Sequence, residues 1–345
     1  MEGSSVDGAL LGGKRAKVLL RVLVSAGVLY ILFRQLDWQQ ASKILTSANL
    51  LWLIPPVVVM VIDRCWMAWK WRMLLAVLGP VPSLYDSIRV YYVSSFQGIA
   101  IPLGGLGPDI VRYAHLRSSD LSRHSVAISI VMERAIGILA TGIVAVLAGG
   151  GLVQKVGGLG DANVLSTILL VGGGGSAVLG GLLFSSRIQR RVYRLLTRSR
   201  VLARSDTLER FAEALRQYRD VPGVILLNLV LALVEQFFSV LVFFFGGIAL
   251  QVPVTLIDCL AVVPISSLIQ RLPVSYAGLG IREGALVFLF GVLGVGYSEV
   301  LILSSVVFIL FLVTLLPGLL WSFDRIGYEA AEEIESKKMG MGGAE

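Results

Sequence analysis

The stretch from Pro222 to Leu250 reads PGVILLNLVLALVEQFFSVLVFFFGGIAL, and Glu235 is its only charged side chain. About 20 predominantly apolar residues are enough to cross the hydrocarbon core of a bilayer as an α-helix. The stretch therefore predicts a transmembrane helix. An ionisable side chain near the middle of such a helix is costly. We therefore expect Glu235 to be protonated, or to pair with an arginine from one of the broken segments described below.

Similar apolar stretches recur along the whole chain of 345 residues, of which 56% are hydrophobic and 15% charged. Soluble globular proteins carry about 25% charged residues. The sequence therefore predicts an all-α polytopic membrane protein, with one transmembrane domain over residues 1–323. About six full transmembrane helices are expected, near residues 17–33, 50–73, 124–150, 163–185, 222–250 and 297–323.

Two further apolar regions, residues 84–117 and 255–294, are each interrupted near the middle by proline and glycine. Each half is too short to span a bilayer comfortably. Irregular backbone is tolerated at membrane depth only where it is buried in protein or lines a watery cavity. Both regions therefore predict re-entrant helical hairpins.

The distribution of basic residues predicts the orientation of the chain. Lys14, Arg15 and Lys17 precede the first span, and residues 186–221 form an Arg-rich linker between two spans. Lys and Arg are enriched in cytoplasmic loops. We therefore expect a cytoplasmic N-terminus, a cytoplasmic linker and a cytoplasmic tail over residues 324–345. The linker has the spacing of an amphipathic surface helix, and a solvated basic loop is an equally good interpretation. The net charge of +7 is explained in this way, and no nucleic-acid partner is expected.

The two interruptions resemble each other. Residues 101–113 read IPLGGLGPDIVRY, and residues 272–286 read LPVSYAGLGIREGAL. Each has a proline, then Gly-Leu-Gly, then an acid and an arginine. Paired breaks in two halves of a chain indicate the central site of an inverted-repeat transporter. The halves would be about residues 17–185 and 222–323, although so short a similarity can arise by chance. The residues expected to break the hairpins are Pro102, Gly107, Pro108, Pro273, Gly278 and Gly280.

Charged residues follow both interruptions. Gly107-Pro108-Asp109 has the composition of a helix start, and Arg112 lies one turn further on the same face. Exposed N–H groups together with Arg112 would hold a phosphate, and a local ion pair is the competing interpretation. In the second break Arg271 and Arg282 are the candidates for headgroup charge, and Glu283 is expected to pair with one of them.

Further charges lie within the predicted spans. Glu133 and Arg134 are adjacent, so they point about 100° apart on a helix and are expected to serve different partners. Asp63-Arg64 and Lys70-Arg72 are expected to extend towards the membrane surface. The candidate binding residues are thus Asp109, Arg112, Glu133, Arg134, Glu235, Arg271, Arg282 and Glu283.

Three stretches, PLGGLGPDIVRYAHL, SIVMERAIGIL and LPVSYAGLGIREGALVFL, resemble in order the signatures of the lysylphosphatidylglycerol synthase transmembrane-region family. This is the flippase-like domain of multiple peptide resistance factors. Two-part members append a soluble aminoacyl-transferase domain. This chain reaches only Glu345, so it is expected to be a stand-alone member that does not synthesise lysyl-lipid. The resemblance implicates Pro102, Asp109, Arg112, Glu133, Arg134, Pro273, Arg282 and Glu283.

The sequence therefore predicts a lipid translocator of a prokaryotic cytoplasmic (inner) membrane that moves a phosphate-bearing headgroup. It is not expected to be an enzyme, because the candidate acids are scattered singly, and no cofactor or metal is expected. An intramembrane lipid-modifying enzyme remains one alternative. Another is a non-transporting subunit that docks a separate lipid synthase. Membrane lipids, such a synthase and a second copy of the chain are the candidate partners.

Overall fold

The computed structural model describes residues 21–101, 106–115, 123–156, 162–185, 217–218, 220–271 and 278–323. Pro102, Pro273, nearly all of the Arg-rich linker and the tail over residues 324–345 lie outside the described residues. The described part of the chain is helical and contains no strand. The all-α prediction is therefore confirmed.

The helices are numbered α1 to α11 in chain order. Helix α1 comprises residues 21–34, and a 3₁₀ turn, Leu50–Leu53, runs directly into α3. The remaining helices are α2 Trp38–Thr46, α3 Ile54–Ala76, α4 Leu84–Ile99, α5 Gly107–His115, α6 Arg123–Val156, α7 Ala162–Phe184, α8 Pro222–Leu250, α9 Leu256–Gln270, α10 Ile281–Val292 and α11 Tyr297–Thr314. After Leu315, helix α11 continues to Phe323.

Four of the predicted spans form helices that are long and apolar enough to cross a membrane: Leu50–Ala76, His124–Gly150, Pro222–Leu250 and Tyr297–Phe323. The chain is therefore a polytopic membrane protein. The predicted span over residues 17–33 begins outside the described residues, and its described part lies in α1. The span over residues 163–185 forms α7, whose apolar portion is the shorter stretch Leu169–Gly181. The count of six spans stays a prediction.

Both broken regions begin with the same capping sequence. Helix α4 follows Ser83, whose Oγ accepts a hydrogen bond from the Asp86 N–H (3.1 Å). Helix α9 follows Thr255, whose Oγ1 accepts from the Asp258 N–H (3.1 Å), while the Asp258 carboxylate accepts from the Thr255 N–H (3.1 Å). A hydroxyl followed three residues later by an acid satisfies N–H groups that a helix start leaves unpaired. This local parallel between the two regions was not noticed in the sequence.

The first break depends on the close approach of two glycines. Helix α4 ends at Ile99 and α5 starts at Gly107. A Cβ added to Gly98 would lie 2.3 Å from the backbone N of Pro108, and one added to Gly107 would lie 2.1 Å from the Gly98 carbonyl oxygen. Only hydrogen fits at either position. The two short helices therefore pack against each other through backbone.

Gly98→Ala is expected to destabilise the protein by about 1–3 kcal/mol, because an added methyl group in a close-packed contact forces backbone apart. Thermal unfolding in detergent, followed by intrinsic tryptophan fluorescence, would measure the loss. Gly291→Ala in α10 is the matched control, since a Cβ there meets nothing within 4 Å. Equal melting temperatures for the two variants would contradict the close packing of α4 on α5.

The second break contains two glycines in the left-handed region. Gly278 has φ +80° and Gly280 has φ +81°. L-residues with a side chain rarely adopt such values, whereas glycine does so freely. Helix α10 then starts at Ile281, as the sequence predicted for the residues around Arg282.

Helices α6 and α8 occupy the centre of the packing. Helix α6 contacts α3, α5, α7, α8 and α9, and α8 contacts α3, α9 and α11 as well. Both short pairs, α4 with α5 and α9 with α10, therefore lie beside the same long helices. This arrangement places the residues that follow the first break and those that precede the second break around a common space.

Candidate functional site

A polar cavity of about 380 Å³ lies among α3, α4, α5, α6, α8 and α9. Five cationic side chains line it, against three carboxylates. Six of the eight residues predicted to bind substrate are among them, and the sequence prediction had left out two of the cations. The charged lining residues are Arg64, Lys70, Asp109, Arg112, Glu133, Arg134, Glu235 and Arg271.

Helices α5 and α6 join through a network of four charges. Arg112 Nη2 donates to Glu133 Oε2 (2.8 Å) and to Asp109 Oδ1 (3.0 Å). Arg134 Nε pairs with the other oxygen of Asp109. The adjacent Glu133 and Arg134 therefore bind different partners, as the helical geometry predicted. The i,i+3 pair of Asp109 and Arg112 is also present.

Two aromatic rings enclose the guanidinium of Arg112. Its Cζ lies 4.7 Å from the ring centroid of Trp71 and 4.7 Å from that of Tyr91. Tyr91 Oη donates to Glu133 Oε1 (2.8 Å), and Trp71 Nε1 donates to Ser129 Oγ (3.0 Å). Cation–π contacts are strongest when the cation is desolvated, and Arg112 is only 3% exposed. The rings thus hold Arg112 in place while its Nη2 meets both carboxylates.

Glu235 pairs with Lys70 of α3, and this corrects two predictions. Glu235 was expected to be protonated or to meet an arginine from a broken segment. Lys70 was expected to extend towards the membrane surface, but it is 2% exposed. Asn228 Nδ2 also donates to the Lys70 carbonyl (2.9 Å), which ties α8 to α3 one turn below. The physical reason is that α3 and α8 pack together, so a buried ammonium group finds its counter-charge on the neighbouring helix.

Arg271 ends α9 and extends towards α6. Its Nη2 donates to Thr141 Oγ1 (3.1 Å), and Thr141 in turn donates to the Gly137 carbonyl (2.7 Å). Arg271 makes no ion pair with any carboxylate in the described ranges, although its side chain is exposed in the cavity. The next six residues, 272–277, contain no acid. Arg271 therefore brings a positive charge that the surrounding helices do not neutralise.

A second cavity of about 360 Å³ adjoins the first, and its lining is mainly apolar. The two cavities share Arg64, Ser95, Pro108 and Gln270 as lining residues. Both breaks reach the second cavity: the first through Gly98, Ile101 and Pro108, and the second through Gly278, Leu279 and Arg282. The two interruptions, more than 150 residues apart in sequence, thus lie on one continuous space.

Arg282 and Glu283 form a local unit at the start of α10. Arg282 Nη2 donates to Glu283 Oε1 (2.5 Å), and its Cζ lies 5.2 Å from the ring centroid of Phe308. Glu283 Oε2 accepts from the Gly280 N–H (2.7 Å). Of the two arginines that the sequence offered to Glu283, Arg282 is the one that binds it. Arg282 lines the second cavity, whereas Glu283 stays buried behind it.

Comparison with known proteins agrees with this arrangement. A family model described as the lysylphosphatidylglycerol synthase TM region matches residues 18–321. The chain belongs to that family. The match spans nearly all of the described helices and every charged residue of both cavities. No curated protein sequence matches the chain. Membership of the lysylphosphatidylglycerol synthase TM-region family associates the protein with a lipid-related role in a membrane.

Sequence reasoning missed several residues that line or support the cavities of this family member. Trp71 and Tyr91 gave no signal, because aromatic side chains are common in transmembrane helices for packing alone. Lys70 and Arg64 were interpreted as surface-seeking, since both lie in the second of the predicted spans. Thr141 is uncharged and lies inside an apolar run. A helical-wheel alignment of α3 with α8 would have been needed to find Lys70 opposite Glu235.

Proposed function

We propose that the protein translocates a lipid with a phosphate-bearing headgroup. One observation carries the proposal. A polar cavity with more cations than carboxylates lies among membrane-spanning helices and adjoins a mainly apolar cavity at the two breaks. A headgroup needs the first environment, and acyl chains need the second. Ligand pockets in membrane bundles commonly lie between helices in this way.

The proposed mechanism has the headgroup pass through the polar cavity while the acyl chains stay in the bilayer. The two broken regions would be re-entrant hairpins that enter from opposite faces, as parts of an inverted repeat. Their matching starts, Ser83 to Asp86 and Thr255 to Asp258, support that symmetry. Alternating access would follow from one half rocking against the other. The membrane would be the cytoplasmic membrane of a prokaryote, with six spans and both termini inside.

We further propose that the protein performs no chemistry on the lipid. A general base or nucleophile needs a carboxylate that is available to the substrate. The three carboxylates of the polar cavity, Asp109, Glu133 and Glu235, are each held in an ion pair. This engagement supports a binding and transport role over catalysis.

Translocation in proteoliposomes tests the proposal. Purified protein would be reconstituted with acyl-chain-labelled lipids, and exposure in the outer leaflet would be followed with an impermeant reductant. Arg282→Ala is expected to slow exposure at least about tenfold, because it removes a cation that faces the second cavity. Arg34→Ala is the matched control: Arg34 is exposed at the end of α1 and lines neither cavity.

Three results would overturn the proposal. Exposure no faster than in protein-free vesicles, with monodisperse folded protein, would remove the translocator. Appearance of a new lipid species by mass spectrometry would assign an enzyme instead. Transport that requires a co-purifying synthase would make the chain a docking subunit. Equal exposure rates for Arg282→Ala and Arg34→Ala would remove Arg282 from the path.

A further inference from the structure

We infer that the headgroup carries a net negative charge and lacks an ammonium group. This inference rests on the proposed function and names the substrate class of the same site. It runs against the expectation that the family name invites, because a lysyl-lipid headgroup is net cationic. The shared chemistry is a phosphate ester without a compensating amine.

The first argument is the state of the carboxylates. An ammonium group in the polar cavity would need a carboxylate as its partner, because burying an unpaired charge is expensive. Asp109 is held by Arg112 and Arg134, and Glu133 by Arg112. Glu235 is held by Lys70. Among the residues that line this cavity, the structure offers no carboxylate outside an ion pair.

The second argument is the surplus of positive charge. Five cations and three carboxylates line the polar cavity, so it attracts an anion and repels a cation. Arg271 is the clearest source of this surplus, since Thr141 Oγ1 is its only hydrogen-bond acceptor in the described ranges. A guanidinium group presents donors in a planar fork that matches two oxygens of a phosphate. Most of that fork remains available on Arg271.

The third argument is position. A Cβ added to Gly137 would lie 3.8 Å from Arg271 Nη1, so the guanidinium rests against α6 where the side chains are smallest. Arg64 lies where the two cavities meet, because it lines both. Its Nη2 is 3.5 Å from Asp63, and its Cζ lies 5.4 Å from the ring centroid of Phe311. A phosphate between Arg271 and Arg64 would direct its ester chains into the apolar cavity.

The test compares headgroups in the same proteoliposomes. Acyl-chain-labelled phosphatidylglycerol, phosphatidylethanolamine and lysylphosphatidylglycerol would be assayed in parallel. Phosphatidylglycerol is expected to move at least about tenfold faster than either amine-bearing lipid, because like charges placed together are strongly disfavoured. Arg271→Gln is expected to slow phosphatidylglycerol about tenfold and to reduce the discrimination, since the surplus charge is gone. Arg34→Gln, outside both cavities, is expected to leave both quantities unchanged.

The outcomes separate this inference from the proposed function. Movement of lysylphosphatidylglycerol as fast as phosphatidylglycerol would overturn the anionic class and leave translocation standing. Movement of no lipid would overturn the proposed function and the inference together. A further arm distinguishes lipid from free anion: vesicles would be loaded with labelled glycerol 3-phosphate. Release of that solute through the protein would assign a free phosphate ester as the substrate and overturn the lipid assignment. Retention of the solute with fast phosphatidylglycerol exposure would support the lipid.

Discussion

Arg112→Gln is expected to cost the folded protein about 3–5 kcal/mol, because removal of one partner from a buried ion pair leaves a buried charge uncompensated. Arg112 is 3% exposed and neutralises Asp109 and Glu133 at once. Its loss would also remove the cation between the rings of Trp71 and Tyr91. Titration with a denaturing detergent, followed by tryptophan fluorescence, would measure the change in unfolding free energy.

Two further variants separate charge from shape at this position. Arg112→Lys keeps the charge and loses the planar fork, so it is expected to fall between the wild type and Arg112→Gln. The double variant Arg112→Met with Glu133→Gln removes both buried charges, and it is expected to recover part of the loss. Arg34→Gln on the exposed end of α1 serves as the unaffected control. An Arg112→Gln protein as stable as Arg34→Gln would contradict a buried, compensating role.

The parts of the site that the sequence predicted correctly are local in the chain. The start of α5 at Gly107 depends on Gly-Pro-Asp in consecutive positions, and the pair of Asp109 and Arg112 depends on one helical turn. The turn before α10 depends on glycines whose φ is positive. Such features are determined by neighbouring residues, so hydropathy and capping rules are enough to find them.

The parts that the sequence missed depend on which side of a helix a residue occupies. Lys70 and Glu235 are separated by 165 positions. Hydropathy indicates how deeply each lies in a span but not the direction in which it points. The narrow moment of a helix surrounded by lipid and protein gives little help, since apolar residues occupy all its sides. Tyr91 was missed for the same reason, because its link to Glu133 crosses from α4 to α6.

The identity of the substrate could not be read from the family signatures alone. They place charges at the two breaks, but they do not indicate which carboxylates are already neutralised. In the structure Glu133 serves Arg112, and Glu283 serves Arg282 and the Gly280 N–H. Acids that looked available for an amine are therefore engaged within the protein. The charge left over, mainly on Arg271, determines what the cavity attracts.

Lys70→Met is expected to destabilise the protein by about 3–5 kcal/mol, since it leaves Glu235 in the interior without its counter-charge. The pair joins α3 to α8, two membrane-spanning helices that pack together. Glu235→Gln is expected to cost a similar amount by leaving the Lys70 ammonium unpaired. The double variant Lys70→Met with Glu235→Leu removes both charges at once. It is expected to be nearer the wild type than either single variant, because no isolated charge remains.

A double-mutant cycle turns this expectation into one number. Unfolding free energies of the wild type, both single variants and the matching double variant, Lys70→Met with Glu235→Gln, would be measured in the same detergent titration. A favourable coupling of about 0.5–3 kcal/mol is expected for two groups in direct contact. Strict additivity of the two single effects would mean that Lys70 and Glu235 do not stabilise each other. The interaction between α3 and α8 would then depend on apolar packing alone, and Glu235 would be available to a substrate amine after all.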